Sequence, residues 1–165
     1  EDAQARGELA LRAIHGDPKV DNILIDDHSG KAVSIIDLDT VKPGLVHYDI
    51  GDCLRSCCNP AGEETTEIAS VTFDTDLCRV ILAGYLEEAA HFFTPADYSY
   101  LYDAIRLIAF ELGLRFFTDY LAGDIYFKVK HPAHNLQRAH VQFRLAECIE
   151  LHENEIKEII AAQKR

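Results

Sequence analysis

The stretch AIHGDPKVDNILIDDHSGKAVSIIDLDT (residues 13–40) decides how the chain is read. Two short runs within it, 22–26 and 32–36, are rich in Ile and Val and have the length of strands. The segment DHSG (27–30) between them is turn chemistry. With the turn centred between Ser29 and Gly30, antiparallel pairing sets Asn22 opposite Asp37. Residues so paired lie about 5 Å apart at Cα, and a one-residue change of register leaves them neighbours. Asp17 and Asp39 fall on the two loops at the same end. The hairpin thus gathers three carboxylates and one amide at one edge.

Like charges held together cost free energy unless a cation joins them. All four side chains offer hard oxygen donors. That set suits Mg²⁺, which takes a few protein oxygens and completes its shell with phosphate and water. The alternative is an ordinary hairpin whose Asp and Asn residues cap its turns.

Working outward, the 165 residues are about half apolar and a quarter charged, which is globular composition for a single domain spanning 1–165. A net charge of −12 disfavours nucleic acid and anionic membrane as partners. No apolar run reaches the ~18 residues of a membrane span, and the first residues lack the pattern of a secretory signal. Five cysteines, an odd number without paired C-x2-C spacing, read as free thiols in a reducing cytoplasm. His131, His134 and His140 lack the acidic or thiolate company of a zinc site.

The rest of the chain reads as helices. Residues 1–14 carry Leu9, Leu11 and Ile14 at helical spacing. Asp49 is placed to cap a short helix ending near Arg55, and Asp74 or Thr75 to cap another ending near His91. Thr94, Pro95 and Asp97 form a strong start signal. The helix they open runs to Gly123, with Gly113 as a point of bending or division. A loop over 124–132 precedes a last helix over 133–162. The expected fold is mainly α with a small β-hairpin (α+β).

His15-Gly16-Asp17-x4-Asn22 has the spacing of a kinase catalytic loop, and Ile35-Ile36-Asp37 stands where kinases place a metal-binding Asp. Leu38 and Asp39 occupy the places of Phe and Gly. That departure resembles the aminoglycoside phosphotransferase-like small-molecule kinases. IDLDTVKPGLVHYDIGDCLR (36–55) and ELGLRFFTDYLAGDIYFKVKHPAHNLQRA (111–139) are similar to segments of bacterial N-acetylhexosamine kinases, which phosphorylate an anomeric sugar hydroxyl. The similarity covers about 15–144.

The resemblance implies a protein-kinase-like C-terminal lobe. It implies Asp17 as catalytic base and Asn22 and Asp37 as Mg²⁺ ligands, with ATP as co-substrate. Arg115 and Tyr126, with Asp17 and Asp37, are implied to contact a sugar. Asp39 is a further ligand or supporting residue. His15 scaffolds its loop, and Asp49 resembles the Asp that props the catalytic loop in related kinases. Arg115 also stands one turn from Glu111 and Asp119, so a helical ion pair is its alternative role. No Gly-rich phosphate loop or strand-borne Lys occurs in the chain, and Met is absent. These features lead to the expectation of a fragment without its N-terminal nucleotide lobe, inactive alone and prone to self-association through uncovered apolar surface. Other acceptors (an aminoglycoside, choline, homoserine, another sugar) and a non-catalytic binding remnant are the competing readings.

Overall fold

The computed structural model of the protein describes residues 2–164. Its architecture is mainly α, with two small antiparallel pairs of strands near the start.

The hairpin forms where expected. Strands β2 (Ile23–Ile25) and β3 (Ala32–Ile35) pair antiparallel. The register differs from expectation: Ile23 faces Ile35 and Leu24 faces Ser34, with an irregularity before Ile25 faces Ala32. Asp26 is the cause. Its Oδ1 accepts from the backbone N and the Oγ of Ser29, both at 2.7 Å, and its own N donates to the Lys31 carbonyl at 2.9 Å. This local bonding closes the turn one residue earlier. Asn22 therefore lies opposite Ile36, whose N donates to the Asn22 carbonyl at 2.9 Å, and Asp37 is one residue beyond. Apolar side chains on both faces of the hairpin remain open to solvent, among them Leu24, Ile25, Ile35 and Val33, the last 63% exposed.

Residues 1–14 do not form the expected helix. Only α1 (Asp2–Ala5) is helical, and Arg12–Ile14 is strand β1. It pairs antiparallel with β4 (Lys42–Gly44), Ile14 facing Lys42. Ile14 is buried, while Leu11 is exposed. Glu1 lies outside the described residues.

Five helices make the body: α2 (Val46–Cys57), α3 (Thr75–Ala89), α4 (Pro95–Ala122), α5 (His134–Leu151) and α6 (Glu153–Ala162). Asp74 caps α3, accepting from the Leu77 N at 2.9 Å. Thr94 and Asp97 cap α4 reciprocally, with Pro95 in its first turn. Gly123 ends that helix in the left-handed region, where glycine carries no Cβ penalty. Gly113 does not divide α4; Phe143 of α5 packs against it. The expected last helix is broken at His152, whose φ of −99° and ψ of 16° separate α5 from α6.

The core lies among these helices, around Leu54, Leu82, Leu101, Ile105, Leu145 and Ile156. At Gly51 of α2 an added Cβ would stand 2.9 Å from the Ala104 carbonyl of α4. This close approach fixes α2, whose first turn carries Asp49, against the longest helix.

Candidate functional site

Asp49 organises the loop over 15–22. Its Oδ2 accepts from the His15 N at 2.7 Å and its Oδ1 from the Gly16 N at 2.9 Å. It does not cap α2, which begins three residues earlier at Val46 and has Leu45 at its cap position. In the last turn of α2, Ser56 accepts from the Val20 N at 3.1 Å. The loop is thus tied to one helix at both ends.

His15 bridges the loop to the residue just past β3. Its Nε2 lies 2.9 Å from the Ile36 carbonyl. A carbonyl only accepts, so Nε2 carries the proton, and Nδ1 is free to accept from the Asp17 N at 3.3 Å. Thr40 adds a second stitch, its Oγ1 donating to the His15 carbonyl at 2.7 Å. Gly16 sits beside it at φ +86°, where a Cβ would stand 2.8 Å from the Thr40 carbonyl. Only glycine fits that position without displacement.

Asp17 follows directly. Its carboxylate accepts from Lys19 Nζ at 2.7 Å and from Asn22 Nδ2 at 3.2 Å. Asn22 is 5% exposed, and its Nδ2 also donates to the Asp17 carbonyl at 2.8 Å. With the amide nitrogen turned to Asp17, the Oδ1 is the end left for a cation. Lys19 is held above the ordinary lysine range, first by its hydrogen bond to Asp17 and further by the charges of Asp37 and Asp52. The sequence pattern assigns Lys19 no role; its one signal is its place two residues after Asp17, in a segment without periodicity.

Asp37 is exposed and adopts the left-handed region, with φ 64° and ψ 56°. Few residues other than glycine take that conformation, though Asp tolerates it better than most. Asp39 hydrogen-bonds and repels Asp37, raising its carboxyl above the ordinary range, while Lys19 pulls the other way. Among the described residues, no three His, Cys, Asp or Glu side chains converge as a ready-made metal cage. The chemistry of the donors, the amide oxygen of Asn22 and the like-charged Asp37–Asp39 pair, fits a cation that takes only part of its shell from protein.

A cleft of about 500 Å³ opens beside this loop, and its wall includes Ile14, Gly16, Lys42, Tyr48, Asp52 and Arg115. It connects the residue preceding Asp17 to Arg115 on α4. Asp17, Asn22, Asp37 and Tyr126 do not line it. The buried guanidinium of Arg55 holds Asp52 at 2.7 Å. Arg115 forms no ion pair with Glu111 or Asp119 among the described residues. Its guanidinium instead lies over the rings of Phe127, at 5.4 Å, and Tyr126, at 6.0 Å from the centroid. The structure therefore brings Arg115 and Tyr126 together, and it brings Asp17 and Asn22 together.

The model of the APH phosphotransferase enzyme family matches residues 1–85, just over half of the chain. The chain belongs to this family. The matched part contains the hairpin, the loop over 15–22 and all of α2 of the phosphotransferase. Arg115 and Tyr126 lie beyond it. The family thus accounts for small-molecule phosphoryl transfer, and the mainly α fold with a small β part agrees with it. No helix of the phosphotransferase, among the described residues, is long and apolar enough to cross a membrane.

Proposed function

We propose that the phosphotransferase acts with ATP and Mg²⁺ on the anomeric hydroxyl of an N-acetylhexosamine, and that this chain forms the acceptor-side, C-terminal lobe. The observation that carries the reading is the loop over 15–22. Asp49 fixes its backbone and Lys19 and Asn22 fix the Asp17 side chain, so that one carboxylate is held in place for an incoming hydroxyl. The exposed apolar hairpin supports a further packed body over β2 and β3, where a nucleotide lobe belongs.

Asp17 accepts the proton of the acceptor hydroxyl and aligns its oxygen with the transferred phosphorus. Asn22 Oδ1 and Asp37 would hold the metal, with Asp39 as a further ligand or supporting residue. When bound, Mg²⁺ would supply neutralisation of charge on the phosphates. Lys19 holds the Asp17 carboxylate in its orientation. His15 transfers no proton in this scheme, since both ring nitrogens are engaged by backbone. Positioning and electrostatics supply most of the acceleration. Arg115 and Tyr126 offer a cation and an aromatic face, which suits a neutral polyhydroxylated ring with an acetamido group better than a cationic acceptor.

A panel of acceptors and ATP, read by ADP release, tests the reading. The full-length protein is expected to turn over N-acetylglucosamine or N-acetylgalactosamine in preference to aminoglycosides, choline and homoserine. The 165-residue chain alone is expected to show negligible turnover. Preference for a cationic acceptor overturns the acceptor assignment, and robust turnover by the chain alone overturns the two-lobe assignment. Arg115→Ala is expected to raise the acceptor KM about tenfold or more with a small change in kcat, the mark of lost uniform binding. An unchanged KM with a lowered melting temperature makes Arg115 structural.

A further inference from the structure

Tyr126 is an unusual lip for a binding site. It is 75% exposed, and it sits on a loop that leaves α4 through Gly123. An exposed aromatic on an untethered loop samples many positions and recognises little, because ordering it costs free energy on binding. Here the loop is tethered from beneath. Asp119, in the last turn of α4 and 6% exposed, turns its carboxylate into the loop. Oδ1 accepts from the Ile125 N at 3.0 Å and the Tyr126 N at 2.8 Å, and Oδ2 accepts from the Phe127 N at 2.9 Å. Three consecutive backbone N–H groups thus wrap one carboxylate. The Asp119 carbonyl also accepts from the Asp124 N at 2.8 Å.

A second clamp comes from α5. Asn135 is fully buried, and its Nδ2 donates to Asp119 Oδ2 at 3.0 Å and to Asp124 Oδ1 at 2.9 Å. Asp124 is held in the left-handed region, at φ 58°. Above the clamp, the Phe127 ring lies on Phe116 at 4.6 Å between centroids, and the Tyr126 ring meets Phe127 edge-on at 4.8 Å. The Arg115 guanidinium completes the stack. Burial pushes the Asp119 carboxyl up, but the N–H groups of Phe127, Tyr126 and Ile125 outweigh it and leave it below the ordinary carboxylate range. A group depressed on folding gives its stabilisation above its unfolded value, about pH 4, and loses it as pH falls through the folded one.

We propose that Asp119, clamped by Asn135, is a positioning residue of the acceptor site. It fixes the backbone of 125–127 so that Tyr126 and Arg115 present one rigid aromatic and cationic face to a neutral sugar ring. The inference rests on the acceptor reading given above and deepens it. Asp119 touches neither acceptor nor phosphate. It acts through the loop, which places its effect on acceptor affinity and not on the chemical step.

Two measurements test it. In the 165-residue chain, amide hydrogen exchange at Ile125, Tyr126 and Phe127 is expected to accelerate at least tenfold in Asp119→Ala and to be partly rescued in Asp119→Asn, with exchange in α2 and α3 unchanged. Unchanged loop exchange overturns the proposal. In the full-length protein, with ATP and whichever acceptor of the panel turns over best, Asp119→Ala is expected to raise the acceptor KM about tenfold or more. The ATP KM should hold and kcat should stay within about threefold. Tyr126→Ala is the control that separates the two readings. If it leaves the acceptor KM unchanged, the acceptor site itself is misplaced. If it raises KM, and Asp119→Ala raises KM by the same factor again in the Tyr126→Ala background, the acceptor site stands and the positioning role falls. Should Asp119→Ala fail to fold, Asp119→Asn and Asn135→Ala replace it; failure of all three assigns the clamp to stability alone and overturns the proposal.

Discussion

Asp17→Asn in the full-length protein is expected to lower kcat by about 10²–10⁴-fold, the usual worth of a positioned general base. The asparagine side chain has nearly the same shape, so the hydrogen bonds that define the loop survive. Asp49 still holds the His15 and Gly16 amides, and Ser56 still holds Val20. Lys19 loses the charge it faces at 2.7 Å and keeps only a neutral acceptor. The acceptor KM should therefore change little, and the melting temperature by no more than a few degrees. This pattern separates a chemical role from a structural one, because a structural defect lowers stability and all kinetic constants together. A loss of kcat smaller than about tenfold excludes Asp17 as the essential base.

The second large effect is expected at Asp37. Asp37→Asn should reduce kcat/KM by about 10²–10³-fold, or about 3–4 kcal/mol at 1.36 kcal/mol per tenfold. Asparagine is the informative replacement here. It tolerates the left-handed backbone that Asp37 adopts, so the hairpin exit keeps its course. It also removes the repulsion with Asp39. A variant that is at least as stable as the parent and yet inactive ties the defect to the metal. The measurement is activity against Mg²⁺ concentration: the half-saturating concentration should rise, and partial recovery at high Mg²⁺ is expected. A variant whose activity and Mg²⁺ requirement match the parent's removes Asp37 from the ligand set.

The features legible in the sequence share a property: their causes are local. Thr94, Pro95 and Asp97 cap α4 with partners no more than three residues away. The hairpin rests on two runs rich in β-branched residues joined by the six residues 26–31. Its register differs by one residue from the one the sequence predicts because the deciding interaction, Asp26 with Ser29, is a side-chain choice that composition does not fix. The start of the chain departs from its sequence pattern for a different reason. Leu9, Leu11 and Ile14 have helical spacing, but residues 12–14 pair with 42–44, thirty residues on, and tertiary pairing overrides local propensity. The break at His152 carries no Gly or Pro to announce it.

The site divides the same way. The spacing of Asp17, Asn22 and Asp37 marks them on paper, whereas Asp119 was visible only as a helical neighbour of Arg115. Its partners are three backbone amides and a buried Asn, and backbone amides have no identity in a sequence.

The stitching of Gly16 and His15 to Thr40 has a bearing on how such a molecule diversifies. It welds the reactive corner into one unit that tolerates almost no revision, while the aromatic ledge over 125–127 hangs from a separate anchor on another helix. On the acceptor reading proposed above, selection for a new acceptor redraws the ledge without disturbing the loop over 15–22. Descendants of this chain that differ in diet should diverge first around 115–127 and last around 15–17.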